Sequence, residues 1–159
     1  MNYIKIDSCD LNNGDGARVT LWVSGCNIRC DGCHNSQIWD FASGREFTKE
    51  TMEELKRLLS DKFITGLSIL GGEPLAPPNR DTVVEICKEI KSSFPDKDIW
   101  LWTGYDIIDY NALGHFDIPD VDYIIDGYYN KNKPTTKKWR GSDNQRMFRK
   151  VGDSLCLID

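Results

Sequence analysis

Apolar residues recur along the chain with two different periods. In "VTLWVS", Val19, Leu21 and Val23 alternate with Thr20, Trp22 and Ser24, the period of two of a strand with distinct faces. From Thr48 the spacing changes, and Met52, Leu55, Leu58 and Leu59 form one helical stripe behind a threonine suited to cap the first turn. "ITGLSILGGEP" predicts a strand stopped by two glycines and a proline. In "NRDTVVEICKEIKSSF", Val83, Ile86, Cys87, Ile90 and Phe94 share one helical face. "DIWLWTGY" and "VDYIIDGYY" read as further strands, separated by a short helix "DIIDYNALG" closed by Gly114. "MFRKVGDSLCLID" predicts a hairpin turning at Gly152 and Asp153.

Alternating strands and helices favour an α/β sheet or barrel of parallel strands with its chemistry at their carboxyl ends, where the glycine-rich breaks of this chain fall. About four such strands are too few for a closed eight-stranded barrel, so the expected fold is a partial (β/α) barrel open on one side. The 159 residues fit a single domain, 1–159, without repeats or a convincing boundary. Only the segment 130–159 changes character: from Lys131 to Lys150, eight lysines and arginines stand against one acid, Asp143. Such a run is either a solvated face or a surface that steers a partner. The net charge of -5 argues against a general nucleic-acid or membrane binder. "MNYIKIDSCD" lacks the apolar core of a signal peptide, and no run reaches the roughly 20 apolar residues that span a bilayer, so a cytoplasmic protein is expected.

Cysteine usage adds the chemistry. Three of the six cysteines, Cys26, Cys30 and Cys33, crowd into "VSGCNIRCDGCHN", which in a reducing compartment points to metal ligation. Cys9, Cys87 and Cys156 stand singly and are expected to be small buried hydrophobes. A structural zinc site closes its tetrahedron with four protein ligands, whereas a cubane held at three irons leaves the fourth free for a small ligand. His34, adjacent to Cys33, is poorly placed to complete a zinc site, but the distant His115 is not excluded. Spacing alone leaves cluster and zinc both open. Arg18 and Asp126 read as surface ion pairs, and Trp22, Trp39, Trp100 and Trp102 as fillers of a core or an interface.

Cys26-x-x-x-Cys30-x-x-Cys33 resembles the cluster motif of the radical S-adenosylmethionine enzymes, and "GGEP", Gly71 to Pro74, resembles their second signature. The resemblance implies a partial barrel of the radical S-adenosylmethionine type. It also implies one 4Fe-4S cluster on Cys26, Cys30 and Cys33, with the free iron chelated by the amino and carboxylate groups of S-adenosylmethionine. Gly71, Gly72 and Glu73 would hold the methionine end, the Glu73 carboxylate facing its ammonium. Gly32, Cys33 and His34 would lie against the adenosine; many such enzymes have an aromatic residue where this chain has Gly32. Thr103 would reach the ribose or the methionine carboxylate, or else cap the turn after its strand.

"NGDGARVTLWVSGC", "CHNSQIW", "DIWLWTGY", "DGYY" and "WRGSDNQR" further resemble the small activating proteins of anaerobic ribonucleoside-triphosphate reductases. Activators of pyruvate formate-lyase share "DG-x-R" and "GCHN" but are longer. The resemblance implies reductive cleavage of S-adenosylmethionine to a 5'-deoxyadenosyl radical, which takes hydrogen from a glycine of a partner. The implied partners are the large glycyl-radical subunit of the reductase and a small electron donor such as flavodoxin, with no nucleic acid and no membrane. Two alternatives stand beside it: an activase of another glycyl radical enzyme, and a non-catalytic zinc-binding adaptor, which leaves "GGEP" without a role.

Overall fold

The four strands read from apolar alternation lie side by side and parallel: β2 (Ala17–Val23), β4 (Ile64–Gly71), β5 (Asp98–Trp102) and β6 (Tyr123–Asp126). The computed structural model describes residues 1–112 and 120–158; Gly114 and His115 lie outside them. Four antiparallel strands extend the sheet at both edges, β1 (Asn2–Asp10) and β3 (Arg45–Glu46) beyond β2, β7 (Arg146–Val151) and β8 (Ser154–Leu157) beyond β6. The result is one open eight-stranded sheet in the order β3-β1-β2-β4-β5-β6-β7-β8, twice the strands that the apolar pattern predicts. The hairpin at Gly152 and Asp153 forms as expected, and it is part of the main sheet. β1 escapes the pattern because, as a strand near the edge, it buries only Tyr3 and Asp10 and leaves its other residues half-buried or exposed.

Helix α1 (Lys49–Leu59) begins at Thr48, whose Oγ1 accepts from the Thr51 amide while the Thr48 amide donates to Thr51 Oγ1. Helix α2 (Pro77–Ser93) starts on two prolines whose missing amides would have no intrahelical partner in any case. A short α3 (Ile107–Ala112) follows β5. Since the parallel strands follow one another in chain order and crossovers are right-handed, α1, α2 and α3 belong on one face. The paired residues Leu21, Ile69, Leu101, Ile124 and Phe148 run across five strands on that face, in one core with Leu55, Leu59, Val83, Ile86 and Ile90.

The opposite face is also covered. Trp100, Ile125 and Met147 are buried there, with Trp102, Tyr123 and Trp139 packed on them. Arg18, expected at the surface, is fully buried. Its guanidinium donates to Ser68 Oγ (2.7 Å), to the Asp15 (3.1 Å) and Leu67 (2.9 Å) carbonyls, and pairs with Asp98 at 2.6 Å, lying over the Trp100 ring. Ser68 Oγ in turn donates to the Asn13 carbonyl, so this one side chain fastens the β1–β2 turn to β4 and β5. Asp126 is likewise fully buried, and accepts from the Ile107 amide (2.9 Å) and from two nitrogens of Arg146. No helix among the described residues is long and apolar enough to cross a membrane.

Arg18→Lys keeps the charge but not the fork of donors that spans Ser68, Asp15, Leu67 and Asp98. The variant is expected to lose about 2–4 kcal/mol of stability, read as a lower urea midpoint of the cluster-free protein under reducing conditions. A midpoint equal to the parent's would show that the charge alone suffices.

Candidate cluster and cofactor site

The parallel pairing of β2 with β4 sets two loops side by side. Past the strand ends, the Gly72 amide donates to the Val23 carbonyl at 2.8 Å and the Glu73 amide to the Gly25 carbonyl at 2.7 Å. Asn79 Nδ2 donates to the carbonyls of Ser24 (2.9 Å) and Glu73 (3.0 Å), tying the first turn of α2 to both loops. A side chain at Gly72 would overlap the Gly25 carbonyl oxygen, and one at Gly25 the ring of Phe41, so the approach requires glycine at both places. The cysteine loop is fixed on its other side by the Gly25 and Cys26 amides, which donate to the Ile38 (2.8 Å) and Trp39 (3.0 Å) carbonyls.

Cys26, Cys30 and Cys33 are free and half-buried, and the Cys33 amide turns back to donate a hydrogen bond to the Cys30 carbonyl at 3.1 Å. Burial pushes the thiols of Cys26 and Cys30 above the ordinary cysteine range, which a bound cation would reverse. Among the described residues no three His, Cys, Asp or Glu side chains converge on a point where a single metal ion would sit. Three free thiols on one short loop are a donor set that fits a cubane with one thiolate on each of three irons, and His115, the histidine left open for a zinc site, lies outside the described residues. Cys87 is buried in the core, and burial raises its thiol far above the ordinary range, whereas Cys9 and Cys156 are exposed rather than buried as expected.

The three cysteines open on a cavity of about 470 Å³, a size suited to a small organic ligand. His34, Gly71, Gly72, Glu73 and Thr103 line it too; Gly32 does not, and faces Lys131, whose Cδ lies 3.0 Å from where a Cβ would stand. A larger groove of about 900 Å³ lies against α1 and α2, but neither cysteine nor histidine lines it. Glu73 is 1% exposed. Its Oε1 accepts from Thr103 Oγ1 (2.7 Å) and the Leu75 amide (2.9 Å), and its Oε2 from the Gly104 amide (2.7 Å). Burial nevertheless outweighs these bonds and raises its pKa to about 7. Thr103 both donates to Glu73 and accepts from the Tyr105 amide at 3.2 Å, the turn-capping bond that a threonine at a strand end can make.

The rest of the lining is not evident from the cysteine and glycine signatures. Trp22, Trp39 and Trp102 face this cavity and, of the four, only Trp100 is fully in the core; Tyr129 joins them from just ahead of the basic segment, Trp139, Arg140 and Gln145 from within it, and Asn12 and Asn13 from the β1–β2 turn. That segment is no detached solvated tail. The Tyr129 amide bonds the Cys30 sulfur, the Tyr129 ring lies 5.0 Å from His34, and Lys131 pairs with Asp31 at 2.7 Å. Arg146 is committed to Asp126 and Asp106. The signal for these residues was "NGDGAR" and "WRGSDNQR", which carry neither a metal ligand spacing nor a hydrophobic period.

Residues 12–148 match the family described as a 4Fe-4S single cluster domain. Three curated relatives bear the name anaerobic ribonucleoside-triphosphate reductase-activating protein. The protein of Enterobacteria phage T4 is 49% identical over 148 residues, 93% of this chain and 94% of that one. The Vibrio cholerae protein is 38% identical over 152 residues (94% and 98%), and the Escherichia coli K12 protein 38% identical over 148 residues (91% and 96%).

The raised pKa of Glu73 has a consequence for stability with a definite sign. Between its ordinary value of 4.5 and about 7 the native state holds a proton that the unfolded chain has released. Stability of the cluster-free protein should therefore fall as pH rises from about 5 to about 7, by up to about 3 kcal/mol, and level off above. Urea midpoints followed across this range should show the slope in the parent and lose it in Glu73→Gln; an equal slope in the variant would place the titration on another group.

Proposed function

The chain belongs to the anaerobic ribonucleoside-triphosphate reductase-activating family, and from that membership we propose that it activates such a reductase by installing a glycyl radical in its large subunit. The observation that carries this reading is the juxtaposition, in one cavity, of three free thiols and a glycine-rich strand end, held together by the β2–β4 ladder. A 4Fe-4S cluster with S-adenosylmethionine on its fourth iron supplies reductive cleavage to a 5'-deoxyadenosyl radical, the species that takes hydrogen from the reductase glycine.

The protein's share is holding, orienting and excluding water. Cys26, Cys30 and Cys33 hold the irons. Gly71 and Gly72 let the backbone approach the methionine end, and Glu73 places negative charge beside its ammonium while keeping Thr103 and Gly104 in place. Cys33 and His34, which line the cavity, attend the adenosine. Trp22, Trp39, Trp102 and Trp139 wall the cavity with apolar surface. In this reading the open sheet is the partial barrel of a radical S-adenosylmethionine domain spanning 1–159, including the basic segment 130–159. The open side admits the glycine-bearing segment of the reductase. Asp31, Gly32 and His34 are exposed, so a small donor such as flavodoxin can approach the cysteine loop from solvent in the cytoplasm, where thiols stay reduced.

Anaerobically reconstituted protein should be brown, bind about four irons per chain, and form 5'-deoxyadenosine with a chemical reductant. Mixed with the reductase subunit, it should yield a glycyl radical signal by electron paramagnetic resonance. Alanine at Cys26, Cys30 or Cys33 should abolish the cluster, while alanine at Cys9, Cys87 or Cys156 should leave the iron content intact. Colourless protein carrying stoichiometric zinc after the same treatment would favour the adaptor instead.

A further inference from the structure

The segment from Trp139 to Gln145 is built as a rigid turn over the cavity. Trp139 adopts φ +61°, unusual for a residue with a bulky side chain. Its carbonyl accepts from Trp102 Nε1 at 2.8 Å and its ring meets Trp100 edge-on at 4.8 Å. Gln145 Oε1 accepts the Gly141 (2.7 Å) and Ser142 (3.2 Å) amides, and Gln145 Nε2 donates to the Gly127 carbonyl at 2.8 Å. Ser142 Oγ accepts the Asn130 amide at 3.0 Å, Asn144 Nδ2 donates to the Tyr128 carbonyl at 2.8 Å, and Asp143 pairs with Lys137.

Arg140 alone in this stretch has no such task. Among the described residues its buried Nε has no hydrogen-bond partner, and its guanidinium makes one bond, from Nη1 to the Lys138 carbonyl, long at 3.5 Å. A buried guanidinium N–H without an acceptor is costly, and a turn this firmly fixed does not let the side chain's root move away. Among the described residues lining the cavity, Arg140 is the only lysine or arginine and Glu73 the only carboxylate. A ligand with an amino-acid end carries one charge of each sign. The Glu73 side suits the ammonium, and the carboxylate needs a cation.

We propose that Arg140 is the anion-recognising residue of the cavity and takes the carboxylate at the amino-acid end of the ligand, an inference that rests on the site being one for S-adenosylmethionine. A guanidinium offers that carboxylate parallel donors that an ammonium cannot, which is reason for arginine at this place. The carboxylate, shared between Arg140 and the metal, is then oriented by the turn over the cavity and not only by the cysteine loop.

The test compares the cluster-loaded parent, Arg140→Gln and Arg140→Lys at equal iron content, titrated anaerobically by calorimetry with S-adenosylmethionine and with its decarboxylated analogue, which lacks only the carboxylate. Arg140→Gln should weaken S-adenosylmethionine binding by roughly 30-fold or more and change binding of the analogue by less than about threefold, with Arg140→Lys in between. Iron content should stay at the parent's value, and the urea midpoint should not fall below it. S-adenosylmethionine binding within threefold of the parent would overturn the proposal, as would equal losses for both ligands, which would mean that Arg140 supports the cavity rather than the carboxylate. Unchanged ligand binding with weakened association to the reductase would also overturn it, and move Arg140 to the docking surface. A parent protein with a full cluster that binds neither ligand would instead refute the cofactor reading itself.

Discussion

The Gly72 amide reaches the Val23 carbonyl, and the Glu73 amide the Gly25 carbonyl, so the parallel ladder of β2 and β4 continues beyond both strands into the loops that follow them. Every other feature of the site depends on that continuation. β2 ends at Val23 and Cys26 directly follows Gly25, so the start of the cysteine loop is fixed relative to the glycine-rich turn by hydrogen bonds. A shift of one residue would turn Val19, Leu21 and Val23 away from the core, so the burial of those three residues holds the register that the site needs. The close contact of Gly25 with Gly72 leaves no slack, because a side chain at Gly72 would push the loops apart and one at Gly25 would strike the Phe41 ring on the other side.

The same problem recurs at the ends of β4 and β6, and the chain solves it in the same way. Each strand end carries an acid, Glu73 just past β4 and Asp126 as the last residue of β6, that is buried and accepts a backbone amide from the segment after β5: Gly104 in the loop for Glu73, Ile107 at the start of α3 for Asp126. The two differ in how the charge is balanced. Asp126 has Arg146, whose own pKa its carboxylate helps to raise, and so the pair is a fixed structural clamp. Glu73 has three donors but no cation among its bonds, and burial dominates. It is a carboxylate whose remaining electrostatic demand a positively charged ligand could meet, which is a different condition from that of a clamp already satisfied.

Much of this was legible in the sequence where a pattern had a period or a fixed spacing. The parallel strands and the helices α1 and α2 follow from apolar repeats, and the thiols and the glycine-rich turn from short-range spacing. What escaped lacks either signal. Strand β1 is too little buried to alternate, and β3 has only two residues. Arg18 and Asp126 look like surface charges because nothing local shows that Ser68 and Asp98 in one case, or Arg146 in the other, will converge on them from distant strands. The tryptophans look like core for a related reason. The face of the sheet that they occupy is partly covered, so an aromatic wall of a cavity and a true core residue such as Trp100 have the same sequence signature.

The basic segment has a composition that fits a solvated face and a partner-steering surface equally well. Its role follows from topology. After β6 the chain must return antiparallel to form β7, and it makes that return across the mouth of the parallel strands, where the cysteine loop and the glycine-rich turn already lie. Tyr129 then meets Cys30 and His34, nearly a hundred positions back along the chain, and Trp139 meets Trp100 and Trp102, about forty positions back. The wall over the thiols therefore depends on the pairing of β7 with β6, because the connection between those two strands carries Trp139 to Gln145 and is tied to Trp102 and Gly127.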